Sequence, residues 1–248
     1  MISIIEQGCI DIWIDEIVPC LGDAKTDEIQ GLVGERNDKD PYAAYMHWAC
    51  TAPNLIQKWR LAMNNNELKR LNRELQCEGF ITKYYKDTVQ LPNGKTAIYD
   101  FVGHKGAAAA VAVLDDGRLL MVSQYRNALD RFTIEIPAGG LEPGEPTIKA
   151  AAREVEEETG YTCGKIEPLI TIRTTVAFCN EKIDIYLATD LKKGEQHLDE
   201  DEFVNVKAYT LEELEEMIYG GIIEDAKTIS AILAYKNKYC PNQVNSNE

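Results

Sequence analysis

The sequence predicts an α/β protein, in which an α/β/α sandwich is built around a mixed β-sheet. Two β-hairpins are indicated because β-prone runs flank an Asn-Gly turn at residues 93–94 and an Asp-Gly turn at residues 116–117. One short helix, opened by Pro146, separates these strands from later ones, and two amphipathic helices follow at residues 211–219 and 225–238. Strands on both sides of one central helix, together with a helical C-terminal part, are typical of this sandwich.

The individual strands are predicted from runs of apolar or alternating residues that are bounded by turn residues. A helix is predicted before them at residues 67–76, after the polar break at residues 63–66. Residues 63–102 are therefore expected to hold a helix and a β-hairpin. In chain order the predicted strands span residues 81–91, 95–102, 107–114, 119–125, 132–136, 166–175, 182–189 and 203–209.

Three pieces of chain are predicted from the change in composition along the sequence. A small accessory segment at residues 1–62 precedes a main domain at residues 63–240, and residues 241–248 form a polar, flexible tail. The runs at residues 29–34 and 43–50 resemble part of an acetyltransferase core of the GNAT type. The glycine-rich loop that would hold the pyrophosphate of coenzyme A does not follow them, so a truncated remnant is indicated and acetyl transfer is not expected.

The composition narrows the class of function. A net charge of −15 argues against a nucleic acid as partner, because binding to many phosphates requires a basic face. It leaves a small phosphorylated substrate open, since a bound cation reverses the local sign of the charge. No apolar run reaches the length of a membrane span, and the seven cysteines are scattered without a Cys-x-x-Cys pair. A cytoplasmic protein with reduced cysteines and no membrane partner is therefore expected.

Three acidic residues on the predicted central helix point to a metal site. Glu154, Glu157 and Glu158 stand at positions i, i+3 and i+4, so they project from one face of that helix. Like charges so close together are unfavourable unless a cation lies among them. Hard oxygen donors on one side, with room for water and phosphate oxygens, suit Mg²⁺ or Mn²⁺. The alternative is a solvated acidic face without a ligand.

The residues around these acids resemble the Nudix box at every defined position. The matching residues are Gly139, Glu145, Arg153, Glu154, Val155, Glu157, Glu158, Gly160 and Tyr161. The resemblance implies the Nudix fold and hydrolysis of a nucleoside diphosphate that is linked to another group. It also implies metal ligation by Glu154, Glu158 and the carbonyl of Ala138. Glu157 would be a further ligand or an outer catalytic acid, and Arg153 would orient these carboxylates.

Residues 64–239 are most similar to the ADP-ribose pyrophosphatase branch of that family. The run Ile136–Glu142 leading into the box is typical of the branch, and Arg126 lies where the branch contacts its substrate. A guanidinium matches phosphate geometry, and a surface ion pair is the alternative for Arg126. The hairpin at residues 80–102 resembles an element that these enzymes exchange between subunits, which implies a homodimer.

The same resemblance implies further contacts with the substrate. Gly140 follows the glycine that permits close approach of the backbone, and Glu181 aligns with a substrate-contacting acid of the branch. Tyr84 or Tyr85 on the hairpin would stack on adenine, with interior packing as the alternative, and Tyr85 is the candidate. The implied partner is a small nucleoside diphosphate sugar.

The general base is expected on a later acidic loop at residues 197–203 rather than in the box. By the resemblance, Glu200 is the candidate base and Glu202 is an additional metal ligand. The implied reaction converts ADP-ribose to AMP and ribose 5-phosphate, with Mg²⁺ or Mn²⁺ as cofactor.

One departure from the branch leaves the substrate open. Where the branch carries a Pro-Gly pair, this chain has Val176 and Ala177, which cannot reproduce a proline-fixed φ followed by a permissive glycine. The same chemistry on GDP-mannose, ADP-glucose or NADH is therefore an alternative. A regulatory module that binds a nucleotide sugar without turnover is another, although such a module is expected to lack box glutamates and all of them are present here.

Overall fold

The computed structural model describes residues 68–198 and 203–240 of the chain. Within these two ranges the chain forms ten β-strands and three α-helices. None of the described helices is long and apolar enough to cross a membrane. Four of the sequence predictions concern residues outside these ranges, namely the accessory segment at 1–62, the tail at 241–248, Glu200 and Glu202.

The elements follow the chain in an order that places one helix between two groups of strands. The eight predicted strands and the helices predicted from residue 146 onward are confirmed, although two of the strands are longer than predicted. The strands are β1 (Lys69–Glu78), β2 (Lys83–Gln90), β3 (Thr96–Gly103), β4 (Ala107–Val113), β5 (Leu119–Arg126), β6 (Arg131–Glu135), β7 (Ala138–Gly140), β8 (Tyr161–Arg173), β9 (Lys182–Lys193) and β10 (Val204–Tyr209). The helices are α1 (Thr147–Thr159), α2 (Leu211–Tyr219) and α3 (Ala226–Tyr239).

The helix predicted at residues 67–76 is wrong, because the structure places strand β1 there. Leu, Arg, Glu and Gln prefer helices only weakly, and pairing with neighbouring strands overrides that preference. β1, β2 and β3 form a three-stranded antiparallel sheet in that order. Arg73 on β1 donates two hydrogen bonds, of 2.7 and 2.6 Å, to the buried Asp87 on β2, and its guanidinium lies 3.5 Å from the ring centroid of Phe101 on β3. These cross-strand contacts fix β1 as a strand.

The main sheet has seven strands and is mixed, as the sequence predicts. Its order is β10-β5-β4-β9-β8, with β6 paired to β5 and β7 paired to β4. The central pair of β4 and β9 is parallel, whereas the other pairs are antiparallel. The three-residue strand β7 has the sequence Ala-Gly-Gly and was not predicted, because glycine is unfavourable in strands.

Small residues on β4 allow helices to pack closely on both faces of the main sheet. Ala108, Ala110 and Ala112 are fully buried and pack on one face against apolar residues of α1. The alternate residues of β4 pack on the other face with α2 and α3, where Leu214 and Ile232 are also fully buried. Alternation of side chains between the two faces thus produces the predicted α/β/α sandwich.

Gly160, the last glycine of the box, ends α1. Its φ of 73° lies in the left-handed region, and its N–H donates to the carbonyl of Glu156 at 2.8 Å. Glycine adopts this conformation without the steric penalty of a Cβ, so the helix ends sharply. Glu154, Glu157 and Glu158 consequently lie in the last two turns of α1, close to β7.

Candidate active site

The acids on α1 differ in how deeply they are buried. Glu158 is 2% exposed and Glu154 is 8% exposed, whereas Glu157 is half-buried and the intervening Glu156 is exposed. A carboxylate is costly to bury unless a partner stabilises its charge. The burial of two acids one helical turn apart therefore favours a cation-binding site over a solvated acidic face without a ligand.

The backbone of β7 points towards these acids. Ala138 lies opposite Ala109 of β4, at a position between two hydrogen-bonded pairs, so its backbone groups face away from β4. Its N–H donates to Oε2 of Glu158 at 2.9 Å. The carbonyl of a strand residue points to the same side as its N–H, so the carbonyl of Ala138 also faces α1.

Gly139 provides the close approach between β7 and α1. A Cβ at this position would lie only 2.0 to 2.3 Å from the three carboxylate atoms of Glu154. Any residue other than glycine would displace that carboxylate. The first glycine of the box is therefore required by contact with Glu154.

Arg153 joins the loop before α1 to the helix. Its Nε and Nη2 donate to the two carboxylate oxygens of Glu145, each at 3.1 Å, and its Nη1 donates to Glu154 at 2.8 Å and Glu157 at 2.7 Å. Its Nη2 also lies 3.4 Å from the carbonyl oxygen of Gly140. Hydrogen bonding to Glu145 is the main reason why the pKa of Arg153 is raised, and the same contact lowers the pKa of Glu145. Arg153 is thus a permanent positive charge that orients the neighbouring carboxylates.

The oxygen donors at this site fit a hard divalent cation. Within the described ranges, no three Asp, Glu, His or Cys side chains lie together at the spacing of a metal cluster. The donors that lie next to β7 are the carboxylate of Glu154, beside Gly139, the carboxylate of Glu158, which accepts from the N–H of Ala138, and the carbonyl of Ala138. Mg²⁺ often binds through one or two carboxylates while it keeps waters and takes phosphate oxygens from the substrate. The chemistry of this donor set therefore suits Mg²⁺ or Mn²⁺.

Comparison with protein families identifies the domain that carries this site. The family described as NUDIX domain matches residues 103–231, which include β4, β7 and α1. The chain belongs to the Nudix family. It is a Nudix hydrolase, and the acids described above are those of its box.

Two relatives and one solved structure are similar to this Nudix hydrolase over about two thirds of its length. An ADP-ribose pyrophosphatase of Bacillus subtilis (strain 168) is 41% identical over 172 residues, which make up 68% of this chain and 93% of the relative. A methanol dehydrogenase activator of Bacillus methanolicus is 42% identical over 168 residues, 67% of this chain and 91% of that protein. The crystal structure of an ADP compounds hydrolase matches with a TM-score of 0.63 at 20% identity, over 69% of this chain and 94% of that chain. This last comparison supports the fold alone.

Arg126, the predicted substrate-binding arginine of the Nudix hydrolase, forms a partly buried ion pair. Its guanidinium donates to both carboxylate oxygens of Glu135, at 2.7 and 2.5 Å, and Lys227 at the start of α3 binds the same carboxylate. The hydrogen bonds to Glu135 are the main reason why the pKa of Arg126 is raised, and the charge of Glu158 adds to this effect. Arg126 therefore lies near the box acids, and its side chain remains 39% exposed to a ligand.

The sequence does not single out Glu135 or Lys227, although they complete the environment of Arg126. The two residues are 92 positions apart in the chain, and the contact between them depends on the packing of α3 against the sheet. The available signal is Glu135 itself, a carboxylate at the end of the short strand that leads into the box. A buried acid at such a place requires a cation as partner.

Glu135 is expected to stabilise the folded Nudix domain in a pH-dependent manner. Burial alone would raise the pKa of Glu135, but hydrogen bonds and charge from Arg126 and Lys227 outweigh it and lower the pKa from 4.5 to about 2. Because the folded-state pKa is the lower one, the stabilisation is present above pH 4.5 and is lost as the pH falls towards 2. A shift of this size corresponds to about 3 kcal/mol.

Urea unfolding of the Glu135→Gln variant at several pH values measures this contribution. The variant should be less stable than wild type at pH 7, and the difference in free energy of unfolding should shrink as the pH falls below the ordinary pKa of a glutamate. The matched control is Glu224→Gln, because Glu224 pairs with Arg131 at the exposed surface and should contribute less than about 1 kcal/mol. A difference between Glu135→Gln and wild type that stays constant with pH would contradict the expectation.

Glu181, another predicted substrate contact, lies in a separate cluster just before β9. Its Oε2 accepts a hydrogen bond from the hydroxyl of Thr174 at 2.7 Å, and its Oε1 lies 3.3 Å from Nδ1 of His104. The sequence assigns no role to His104. Nor does it single out Lys105, whose side chain packs over Gly140, so that a Cβ at Gly140 would lie 2.6 Å from its Cε and 2.9 Å from its Nζ.

Tyr85 packs within the three-stranded sheet. Its ring centroid lies 5.8 Å from that of Phe101, and the guanidinium of Arg73 lies 5.5 Å from the Tyr85 ring. The contacts that the structure gives for Tyr85 are thus those of the packing alternative. The box residues Arg153, Glu154, Glu157 and Glu158 lie together with Ala138 and Gly140, whereas Glu181 and Tyr85 belong to other clusters.

Proposed function

We propose that this Nudix hydrolase is a Mg²⁺-dependent pyrophosphohydrolase that converts ADP-ribose to AMP and ribose 5-phosphate. The observation that carries the proposal is the pair of buried box carboxylates, Glu154 and Glu158, held against β7 beside the charged Arg153. The relative from Bacillus subtilis named ADP-ribose pyrophosphatase supports the choice of substrate, since the two chains are 41% identical.

The metal would be held by Glu154, Glu158 and the carbonyl of Ala138, with Mn²⁺ as the alternative to Mg²⁺. When bound, a divalent cation supplies neutralisation of the pyrophosphate charge and a lower pKa for a coordinated water. Arg153 keeps the carboxylates in place through its hydrogen bonds to Glu154 and Glu157. Burial of the acids strengthens their electrostatic attraction for a cation, because the local dielectric is low.

Hydrolysis requires a water oxygen to form a bond to phosphorus while the bond to the bridging oxygen breaks. Glu200 is the proposed base that takes the proton from this water, and Glu202 is the proposed additional metal ligand. The electron pair of the broken bond remains on the leaving phosphate, so AMP and ribose 5-phosphate result from one water. Glu157 is proposed to assist as a carboxylate that lies next to the direct ligands of the metal.

Substrate binding is assigned to residues around the box. The side chain of Arg126 is partly exposed while Glu135 holds it, which suits a contact with a phosphate oxygen. Gly140 has no side chain, so its backbone would lie close to the substrate. The carboxylate of Glu181 would accept hydrogen bonds from sugar hydroxyls. Tyr85 remains the proposed residue for stacking on adenine, a role that would use the exposed part of its ring.

Product analysis by liquid chromatography tests this function. Purified protein is incubated separately with ADP-ribose, ADP-glucose, GDP-mannose and NADH, once with Mg²⁺ and once with a chelator. The proposal expects AMP and ribose 5-phosphate to appear fastest from ADP-ribose, only with the metal. The Glu158→Gln variant, purified in the same way, controls for a contaminating hydrolase. Absence of turnover of all four substrates would contradict the proposal.

The alternative substrates are favoured by one specific observation. Val176 stands where the branch has a proline, and its side chain is highly exposed on the loop before Glu181. The names of relatives also point to different substrates: one relative of 31% identity is named as a hydrolase of a CMP-linked phosphonate. Faster turnover of ADP-glucose, GDP-mannose or NADH would keep the chemistry and change the substrate, and binding without turnover would indicate the regulatory module.

We also propose a cytoplasmic homodimer. Strands β1 and β3 expose large apolar side chains such as Leu71, Leu75 and Ile98, which a second copy of the chain would cover. The four described cysteines are free thiols, which agrees with a reducing compartment. Sedimentation equilibrium of the full chain should give twice the monomer mass of 27.8 kDa, and a monomer at micromolar concentration would contradict the dimer.

A further inference from the structure

The loop at residues 174–181 is attached to the end of β3. The N–H of Val102 donates to the carbonyl of Phe178 at 2.7 Å, and the N–H of Asn180 donates to the carbonyl of Val102 at 3.3 Å. The N–H of His104 donates to Oδ1 of Asn180 at 2.7 Å. Hydrogen bonds with Val102 and His104 thus hold this loop at the end of β3, although the loop and β3 are far apart in the sequence.

The imidazole of His104 reaches from this attachment to the carboxylate of Glu181. Its Nδ1 accepts a hydrogen bond from the backbone N–H of Gly106 at 3.0 Å and lies 3.3 Å from Oε1 of Glu181. The histidine side chain is 12% exposed and the glutamate side chain 25% exposed, so a ligand can still reach the carboxylate. The other oxygen of Glu181 accepts from the hydroxyl of Thr174 at 2.7 Å.

A single Nδ1 cannot serve both of its neighbours in the same way. It accepts from the N–H of Gly106 when it carries no proton, and it donates to Glu181 when it carries one. The basic side chains of Arg173 and Lys182 have other partners. Arg173 donates to the carbonyl of Asn180 at 2.7 Å, and Lys182 pairs with Asp184 at 2.8 Å. His104 and Thr174 are the described residues whose side chains contact the Glu181 carboxylate.

We propose that His104 is a positioning residue for substrate recognition, which holds Glu181 at the orientation in which its carboxylate accepts hydrogen bonds from sugar hydroxyls. This inference rests on the proposed function, because it needs Glu181 to contact the substrate. A contact made equally in the bound substrate and in the transition state changes KM rather than kcat. Loss of His104 should therefore raise KM.

Four variants and one double variant test the role of His104 with ADP-ribose. His104→Asn places an amide group near the position of Nδ1, which can accept from Gly106 through its oxygen or donate to Glu181 through its nitrogen, whereas His104→Ala removes both contacts. His104→Ala and Glu181→Gln should each raise KM by about five- to tenfold with kcat within about twofold of wild type. Thr174→Val, which removes the other contact of the carboxylate, should act in the same direction.

The combination His104→Ala with Glu181→Gln provides the decisive result. If His104 acts through Glu181, the double variant should have the KM of Glu181→Gln alone rather than the product of the two effects. His104→Asn should raise KM less than His104→Ala, because its amide group can make one of the two contacts that Nδ1 makes. Multiplicative effects in the double variant, or a KM in His104→Asn that is higher than in His104→Ala, would overturn the proposal.

Hydrogen exchange separates a failure of this inference from a failure of the proposed function. If wild type does not hydrolyse ADP-ribose, the proposed function fails, and amide exchange of residues 174–182 still reports on the attachment of the loop. Faster exchange there in His104→Ala, at an unchanged melting temperature, would support the positioning role. Unchanged exchange in both His104→Ala and Glu181→Gln would overturn it.

Discussion

The Glu158→Gln variant is expected to lose about two orders of magnitude or more in kcat for ADP-ribose while its fold survives. Glu158 is buried, and its Oε2 accepts from the N–H of Ala138 at 2.9 Å. Glutamine has the same shape and keeps an oxygen that can accept this hydrogen bond. What it removes is the negative charge of Glu158, with which the proposed metal site would hold a divalent cation.

Steady-state kinetics at saturating Mg²⁺ measures the loss, and the melting temperature shows whether the fold is intact. Glu156→Gln is the matched control, because Glu156 lies on the same helix with an exposed side chain and the same charge. Its kcat should stay within about twofold of wild type. Titration of Mg²⁺ should require a higher concentration for half-maximal activity in Glu158→Gln than in the control. Near-wild-type kcat in Glu158→Gln would remove Glu158 from the metal site.

The parts of the fold that could be predicted are those with local signals. The two hairpins follow from turns that require glycine at a positive φ, and Gly94 and Gly117 have φ values of 79° and 84°. The end of α1 follows from Gly160 in the same way. The spacing of the box acids then places Glu154 and Glu158 near each other, because both belong to one regular helix.

The parts that could not be predicted depend on partners distant in the sequence. Residues 69–78 carry helix-compatible side chains, and antiparallel pairing with β2, reinforced by the contacts of Arg73 with Asp87 and Phe101, makes this segment a strand. The same limit applies to the site. The sequence identifies Arg126 but not its buried partner Glu135, and it identifies Glu181 but not His104, because each contact joins residues from separate elements.

The Gly139→Ala variant is expected to lower kcat/KM for ADP-ribose by about 100-fold, because the added methyl group must displace the carboxylate of Glu154. The Cβ of an alanine at this position would lie 2.0 to 2.3 Å from the atoms of that carboxylate, far inside van der Waals contact. The backbone itself does not oppose alanine, since the φ of Gly139 is outside the left-handed region. The substitution therefore tests the position of Glu154 while its charge is kept.

Gly140→Ala provides the comparison that separates this effect from a general disturbance of β7. Its Cβ would meet Cε and Nζ of Lys105 at 2.6 and 2.9 Å, the far end of a flexible side chain that can move aside. The loss of activity in Gly140→Ala should therefore be at least about tenfold smaller than in Gly139→Ala, as judged by kcat/KM. Both variants should unfold cooperatively in urea, which verifies that β7 still pairs with β4.

Equal losses in the two variants would show that the strand matters rather than the carboxylate of Glu154. A Gly139→Ala variant with wild-type kcat/KM would mean that Glu154 can move without consequence, which is incompatible with its proposed role as a metal ligand.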